Sequence, residues 1–185
     1  MTGKSMTNAS AKTPCQIVVM GVSGCGKTSI GVLLSKALGI RFTDGDDLHP
    51  TANKEKMAAG IPLNDDDRWP WLDLVGLTLS MPEGAIVACS ALKKSYRDRI
   101  RSVAPDAVFV HLVGSRELLM ERLQNRKNHF MPPSLLESQL NTLEELQADE
   151  VGFSVDVGPS EAEVLASCLE QLAQVPGKSC EPQVL

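Results

Sequence analysis

Gly21-Val22-Ser23-Gly24-Cys25-Gly26-Lys27-Thr28 spells G-x-x-x-x-G-K-[ST], with apolar Ile17–Met20 before it and a helix-patterned stretch after it. A strand, a glycine-rich turn and a helix N-terminus are the context a phosphate-binding loop requires. Glycine lets the backbone wrap an anion that a Cβ would obstruct. Successive N–H groups and the positive end of the helix then point at a β-phosphate. Lys27 supplies a mobile charge to the β- and γ-oxygens, and the Thr28 hydroxyl is a ligand for Mg2+. The residues expected to hold the nucleotide here are Gly21, Val22, Ser23, Gly24, Cys25, Gly26, Lys27, Thr28 and Ser29.

Other chemistry-bearing residues follow later apolar runs. Asp44 and Asp46 close the second run, and an i, i+2 spacing at a strand end lets two carboxylates point the same way. Such a pair suits phosphoryl transfer to an alcohol: one carboxylate approaches Mg2+ through its water shell, and the other takes the hydroxyl proton. A functionless Asp-Gly turn has the same composition, and the upstream phosphate loop decides for function. His49 is either a satisfied structural or surface residue, as a lone histidine usually is, or, by its closeness in sequence to the carboxylates, a substrate contact. Arg68 follows three aspartates, which either neutralise it locally or leave its planar fork to match a substrate carboxylate in bidentate geometry. Lys93 and Arg97 are i, i+4 in a basic cluster after the third run, where they share a helix face at the ligand edge. Arg122 and Arg126 repeat that spacing before Lys127 and a Pro-containing loop. That composition fits a mobile lid carrying an arginine onto the transferring phosphoryl group.

These residues need elements that bring them to one edge. Short apolar runs at 17–20, 40–43, 85–89, 108–112 and 152–155 are nearly continuous, as strands covered on both faces are. Ile30, Leu33, Leu34, Ala37 and Leu38 form one helical stripe, with Gly39 as its stop. A second helix is expected over 50–59. A third is expected from a cap at Asp66 or Asp67 to about Ser80, and capping boxes at Ser134–Glu137 and Ser160–Glu163 open two more. Alternating β and α imply an α/β fold with a parallel sheet, helices on both faces and ligands beyond the carboxyl ends of the strands.

The chain of 185 residues suits one domain over 14–175, with a disordered tail at 1–13, a lid at about 122–140 and a flexible tail at 176–185. Its net charge of −5 argues against a nucleic-acid partner, which needs a basic face. Nothing resembles a membrane span or a signal peptide, so the cytoplasm is the expected compartment. The five cysteines, Cys15, Cys25, Cys89, Cys168 and Cys180, make no C-x-x-C pair and are odd in number, which suggests neither a zinc site nor a disulfide framework. Cys25, if exposed beside the helix N-terminus, would be an oxidisable thiol of lowered pKa.

Taken together, several strings resemble the gluconate kinase family, relatives of shikimate kinase among the P-loop kinases. They are Met20–Lys27, Asp44-Gly45-Asp46, Leu48-His49-Pro50, Pro62-Leu63-Asn64-Asp65-Asp66-Asp67-Arg68 with Pro70-Trp71-Leu72, Cys89-Ser90-Ala91-Leu92-Lys93-Lys94 with Tyr96-Arg97-Asp98, Arg122-Leu123, His129-Phe130 and Gln139 with Thr142-Leu143-Glu144. The resemblance implies a three-layer P-loop kinase fold with a five-stranded parallel sheet and a mobile lid. It implies ATP- and Mg2+-dependent phosphorylation of the 6-hydroxyl of gluconate, and it hints at a homodimer. In this light Asp46 looks like the base, Asp44 and Thr28 like the metal side, and Arg68 like the grip on the substrate carboxylate. His49, Lys93 and Arg97 would line the sugar-acid pocket, Arg122 would stand at the adenine side or lid base, and Arg126 or Lys127 would be the lid cation. Asn128 stands where the family usually has glycine. A shikimate or nucleotide acceptor is the nearest rival. A GTPase switch is disfavoured because Asn53-Lys54-Glu55-Lys56 fails the last position of N-K-x-D.

Overall fold

The continuous apolar runs become strands because both of their faces are covered. In the computed structural model, which describes residues 14–125, 133–177 and 180, the strands are β1 (Gln16–Met20), β2 (Phe42–Asp44), β3 (Ala85–Ala88), β4 (Val108–Val113) and β5 (Gly152–Asp156). They form one sheet in the order β2-β3-β1-β4-β5, and every pairing is parallel. Parallel neighbours need crossover connections, and helices supply them: α1 (Lys27–Leu38), α2 (Thr51–Ala58), α3 (Asp65–Leu79), α4 (Lys94–Val103), α5 (Arg116–Gln124), α6 (Pro133–Thr142) and α7 (Glu161–Ala173).

Alternate strand residues feed two cores. Ile17, Val19, Ile86, Val108 and Val110 pack with α1 and α7, whereas Val18, Met20, Val87 and Phe109 pack with α3 and α4. The expected α/β sandwich is therefore present. β1 lies between β3 and β4, where the strand order reverses direction. That switch point opens a crevice at the carboxyl end of β1, and the phosphate loop occupies it.

Helix ends follow local chemistry, with two departures from expectation. Gly39 stops α1 in the left-handed region at φ 66°. Ser160 and Glu163 form the expected capping box on α7. The cap of α3 is Asn64, two or three residues before Asp66 or Asp67, because Asn64 and Asp67 exchange side-chain and backbone hydrogen bonds. α6 begins at Pro133, so Ser134 lies inside the helix, and Glu137 accepts from Arg116 Nε at 2.6 Å.

The cysteine expectation is also corrected. Cys15 and Cys180 form a disulfide with a Cα–Cα distance of 5.6 Å, joining residues 165 positions apart. Cys180 is buried at the base of β1, a proximity made by topology that spacing along the chain does not reveal. Among the described residues Cys25, Cys89 and Cys168 are free and buried, and no helix is long and apolar enough to cross a membrane.

Candidate functional site

The turn between β1 and α1 is built on backbone freedom. Gly21 has φ 136°, and a Cβ there would stand 2.7 Å from the Leu112 carbonyl oxygen. Lys27 Nζ donates to the Val22 carbonyl at 3.0 Å, so the ammonium lies across the loop. The loop lines a cleft of about 670 Å³ together with Asp44, Asp46, Ser90, Arg122, Gln139 and Val157. The structure thus brings the nucleotide-binding, metal-side and base candidates to one place.

Asp44 organises the acidic edge. Thr28 Oγ1 donates to Asp44 Oδ2 at 2.9 Å, and the Asp46 amide donates to Asp44 Oδ1 at 3.1 Å. The two carboxylates reach the cleft by a route other than strand alternation: β2 ends at Asp44, and Asp46 lies in the 3₁₀ turn Gly45–Leu48 that Asp44 caps. Gly45 is required there, since a Cβ would lie 2.3 Å from the Ala88 carbonyl oxygen. Trp71 Nε1 donates to the Gly45 carbonyl at 2.7 Å and holds the turn from below. Thr28 and Asp44 present hard oxygen donors side by side, the chemistry that suits Mg2+.

His49 does not line this cleft. Its ring stacks on Trp71 at 4.1 Å between centroids, and one ring nitrogen lies 3.3 Å from Asn53 Nδ2. Burial holds its pKa below the ordinary value, against the pull of Asp46. It is a support beneath the acidic turn, because the stacking that fixes it also covers it.

Arg97 is corrected more sharply. Its guanidinium is fully buried. It pairs with Glu150 through Nε to Oε1 at 2.6 Å and Nη2 to Oε2 at 2.8 Å. It also donates to the carbonyls of Ala91, Leu92, Glu144 and Glu145. Its donors are engaged inside the protein, so it clamps the start of α4 to the segment after α6 and contributes nothing to a substrate pocket. Lys93 is the cap residue of α4, and its side chain turns the other way.

Lys93 and Arg68 do come together, around Asp65. Lys93 Nζ lies 3.2 and 3.1 Å from the two Asp65 oxygens, and Arg68 Nη1 lies 3.5 Å from Oδ1. The Tyr96 hydroxyl also donates to Asp65, and this bond with that of Lys93 holds the carboxyl below its ordinary value. Arg68 and Lys93 thus share one carboxylate at a partly exposed edge, with Asp67 beside them paired to Lys56. The charges of Asp46 and Arg68 both act on His49, so the cluster lies near the acidic turn.

Arg122 Nη2 donates to the Val157 carbonyl at 2.7 Å and lines the cleft. Arg126, Lys127 and Asn128, which carry the lid expectation, lie outside the described residues. The Cys25 thiol is buried, and burial raises its pKa despite Lys27 beside it; the exposed, low-pKa thiol is absent. Sequence reasoning missed the wall at Val157 and Pro159, although its position after β5 at the carboxyl edge of the sheet was a usable signal. It also missed Gln139 as a cleft residue and Trp71 as the prop of the turn.

Known proteins are similar to this chain over most of its length. The shikimate kinase family model matches residues 23–154. The gluconokinase of Gluconobacter oxydans is 50% identical over 141 residues, covering 74% of this chain and 79% of its own. The thermosensitive gluconokinase of Escherichia coli is 43% identical over 163 residues, covering 85% and 87%. The crystal structure of a gluconokinase from Sinorhizobium meliloti 1021 has a TM-score of 0.81 at 49% identity, over 88% of this chain and 94% of that one. The chain belongs to the gluconokinase family. It is therefore a P-loop kinase. The gluconokinase cleft holds the nucleotide loop, Asp44, Asp46 and Arg122, and the Asp65 cluster lies outside that lining.

Proposed function

We propose that this kinase phosphorylates the 6-hydroxyl of D-gluconate with ATP, giving ADP and 6-phosphogluconate. The observation that carries the reading is the single carboxylate of Asp44, which ties the Thr28 hydroxyl to the Asp46 turn at the edge of the phosphate loop. ATP would lay its β- and γ-phosphates along the loop amides, with Lys27 on their oxygens and Arg122 toward the base. Thr28 and Asp44 would hold Mg2+, which neutralises phosphate charge when bound. Asp46 accepts the hydroxyl proton, the oxygen attacks the γ-phosphorus, and the bond to the β–γ bridging oxygen breaks as ADP leaves.

An acceptor carrying an anion suits this edge. Arg68 and Lys93 are partly exposed around Asp65, and the fork of Arg68 matches a carboxylate. Gluconate is also the substrate named for the Gluconobacter, Escherichia and Sinorhizobium relatives. A coupled ADP-release assay over gluconate, shikimate, glycerate and nucleoside monophosphates tests the reading. Gluconate should support turnover well above the others, and 6-phosphogluconate should appear. Turnover with shikimate instead would move the chain to the sister activity, and no turnover with any polyhydroxy acid would overturn the proposal.

A further inference from the structure

The phosphate loop is held at one point by a side chain from outside it. Gln139 Oε1 accepts from the Ser23 backbone N–H at 2.7 Å, across 116 positions of sequence. Only the carboxamide oxygen can accept there, so the orientation of the amide is fixed by the bond. Ser23 lies in the stretch whose N–H groups face an anion, and Gln139 lines the same cleft. A side chain bonded to such an N–H sets the conformation the loop presents to a phosphate.

Gln139 is carried by α6, and α6 is tied into the protein on several sides. Leu136 is fully buried in the core, and Glu137 pairs with Arg116 of α5. Just past the helix, the Glu144 amide donates to the Leu92 carbonyl at 2.8 Å, and the Glu144 carboxylate accepts from the Lys94 amide at 2.6 Å. The same segment receives two of the Arg97 bonds. α6 thus links the phosphate loop to the start of α4, next to the acceptor-side lysine Lys93.

We infer that Gln139 is a positioning residue for the nucleotide, fixing the first half of the phosphate loop through Ser23 and coupling α6 to occupancy of the loop. The inference rests on the kinase reading of the cleft, and it touches neither the base nor the acceptor groups. Gln139→Met keeps length and bulk and removes the acceptor. Gln139→Glu keeps the acceptor and adds a negative charge beside the phosphates.

The test measures Mg-ADP binding by calorimetry, the KM for ATP and for gluconate, and hydrogen exchange of residues 133–142 with and without Mg-ADP. Gln139→Met should weaken Mg-ADP by about three- to tenfold, the range of one net hydrogen bond. Its KM for gluconate and its unfolding temperature should stay at the native values. Gln139→Glu should also weaken Mg-ADP, but its penalty should shrink with added salt, since it comes from charge. Mg-ADP should change exchange in α6 of the native protein and leave α6 of Gln139→Met unchanged. Native-like ADP affinity in Gln139→Met would overturn the inference and leave the kinase reading standing. So would an equal loss for ADP and gluconate with a lowered unfolding temperature, which marks a structural role. Failure of the native protein to bind Mg-ADP would overturn both.

Discussion

Thr28 and Asp44 share one hydrogen bond, 2.9 Å from Oγ1 to Oδ2, and it joins the first turn of α1 to the end of β2. The other Asp44 oxygen caps the turn that carries Asp46. One carboxylate therefore sets the spacing between the phosphate loop and the proposed base.

Asp44→Asn tests this double role. The amide keeps one acceptor, loses the charge, and turns a donor toward either Thr28 or the Asp46 amide. The Mg2+ concentration for half-maximal activity should rise by about 10- to 100-fold, the usual cost of disturbing a group that supports or ligates a metal. Titrating activity with Mg2+ at saturating ATP checks it, and an unchanged midpoint would remove Asp44 from the metal side.

Asp46→Asn should lower kcat by about 10² to 10⁴ while Mg-ADP still binds, as expected for loss of a positioned base. Trp71→Phe probes the same group indirectly. It keeps an aromatic face for His49 and deletes the bond to the Gly45 carbonyl. Its kcat should fall by about three- to tenfold, the worth of one hydrogen bond, with the KM for ATP unchanged. Steady-state kinetics on both variants separates base from prop.

The parts legible in the sequence are those written as contiguous strings or local periods. The phosphate loop, the five strands and the Ser160 cap each depend on residues a few positions apart. The acidic turn was found as well, though for a strand alternation it does not use, because an Asp-Gly-Asp string does not reveal where its strand ends. Arg97 was illegible for the opposite reason. A basic residue on a helix reads as surface or ligand until its partner is known, and Glu150 lies 53 positions away. Gln139 and the Cys15–Cys180 pair are long-range contacts of the same kind, made by the crossovers and invisible to spacing.

Arg97→Met should therefore act on stability. Removing one partner of a buried ion pair leaves the other charge uncompensated, at a cost of about 3–5 kcal/mol. Burial pushes the Glu150 carboxyl up, and Arg97 with the Gln147 amide brings it below its ordinary value. The variant loses that compensation. Urea unfolding should shift strongly, whereas the KM for gluconate of the surviving folded protein should match the native value. A selective rise in that KM with native stability would restore Arg97 to the pocket.

The Cys15–Cys180 bond closes nearly the whole chain into a ring. It restricts the unfolded ensemble far more than the folded one, so reduction should cost about 2–4 kcal/mol. The bond is remote from the acidic turn, being at the opposite end of β1 from the phosphate loop. Dithiothreitol should lower the unfolding temperature and leave kcat and both KM values unchanged. Cys180→Ser should behave as the reduced native protein does and be insensitive to dithiothreitol, as followed by thermal unfolding with and without reductant.

Acid should weaken the fold through two imidazoles before it reaches the carboxylates. Burial holds both His49 and His111 below the ordinary value of 6.5. Unfolding restores that value, so below it the unfolded chain binds protons that the folded chain resists. Their contribution is complete above about pH 7 and is lost progressively as the pH falls toward their folded values. Asp65, held low mainly by the Tyr96 hydroxyl and Lys93, adds its own loss only around and below the ordinary carboxyl value of 3.8. The urea midpoint should be flat above neutrality and decline toward about pH 5, with a shallower decline in His49→Gln. A midpoint that rises on acidification over this range would mean that the two rings are protonated in the folded state, contrary to their packing against Trp71 and within the sheet.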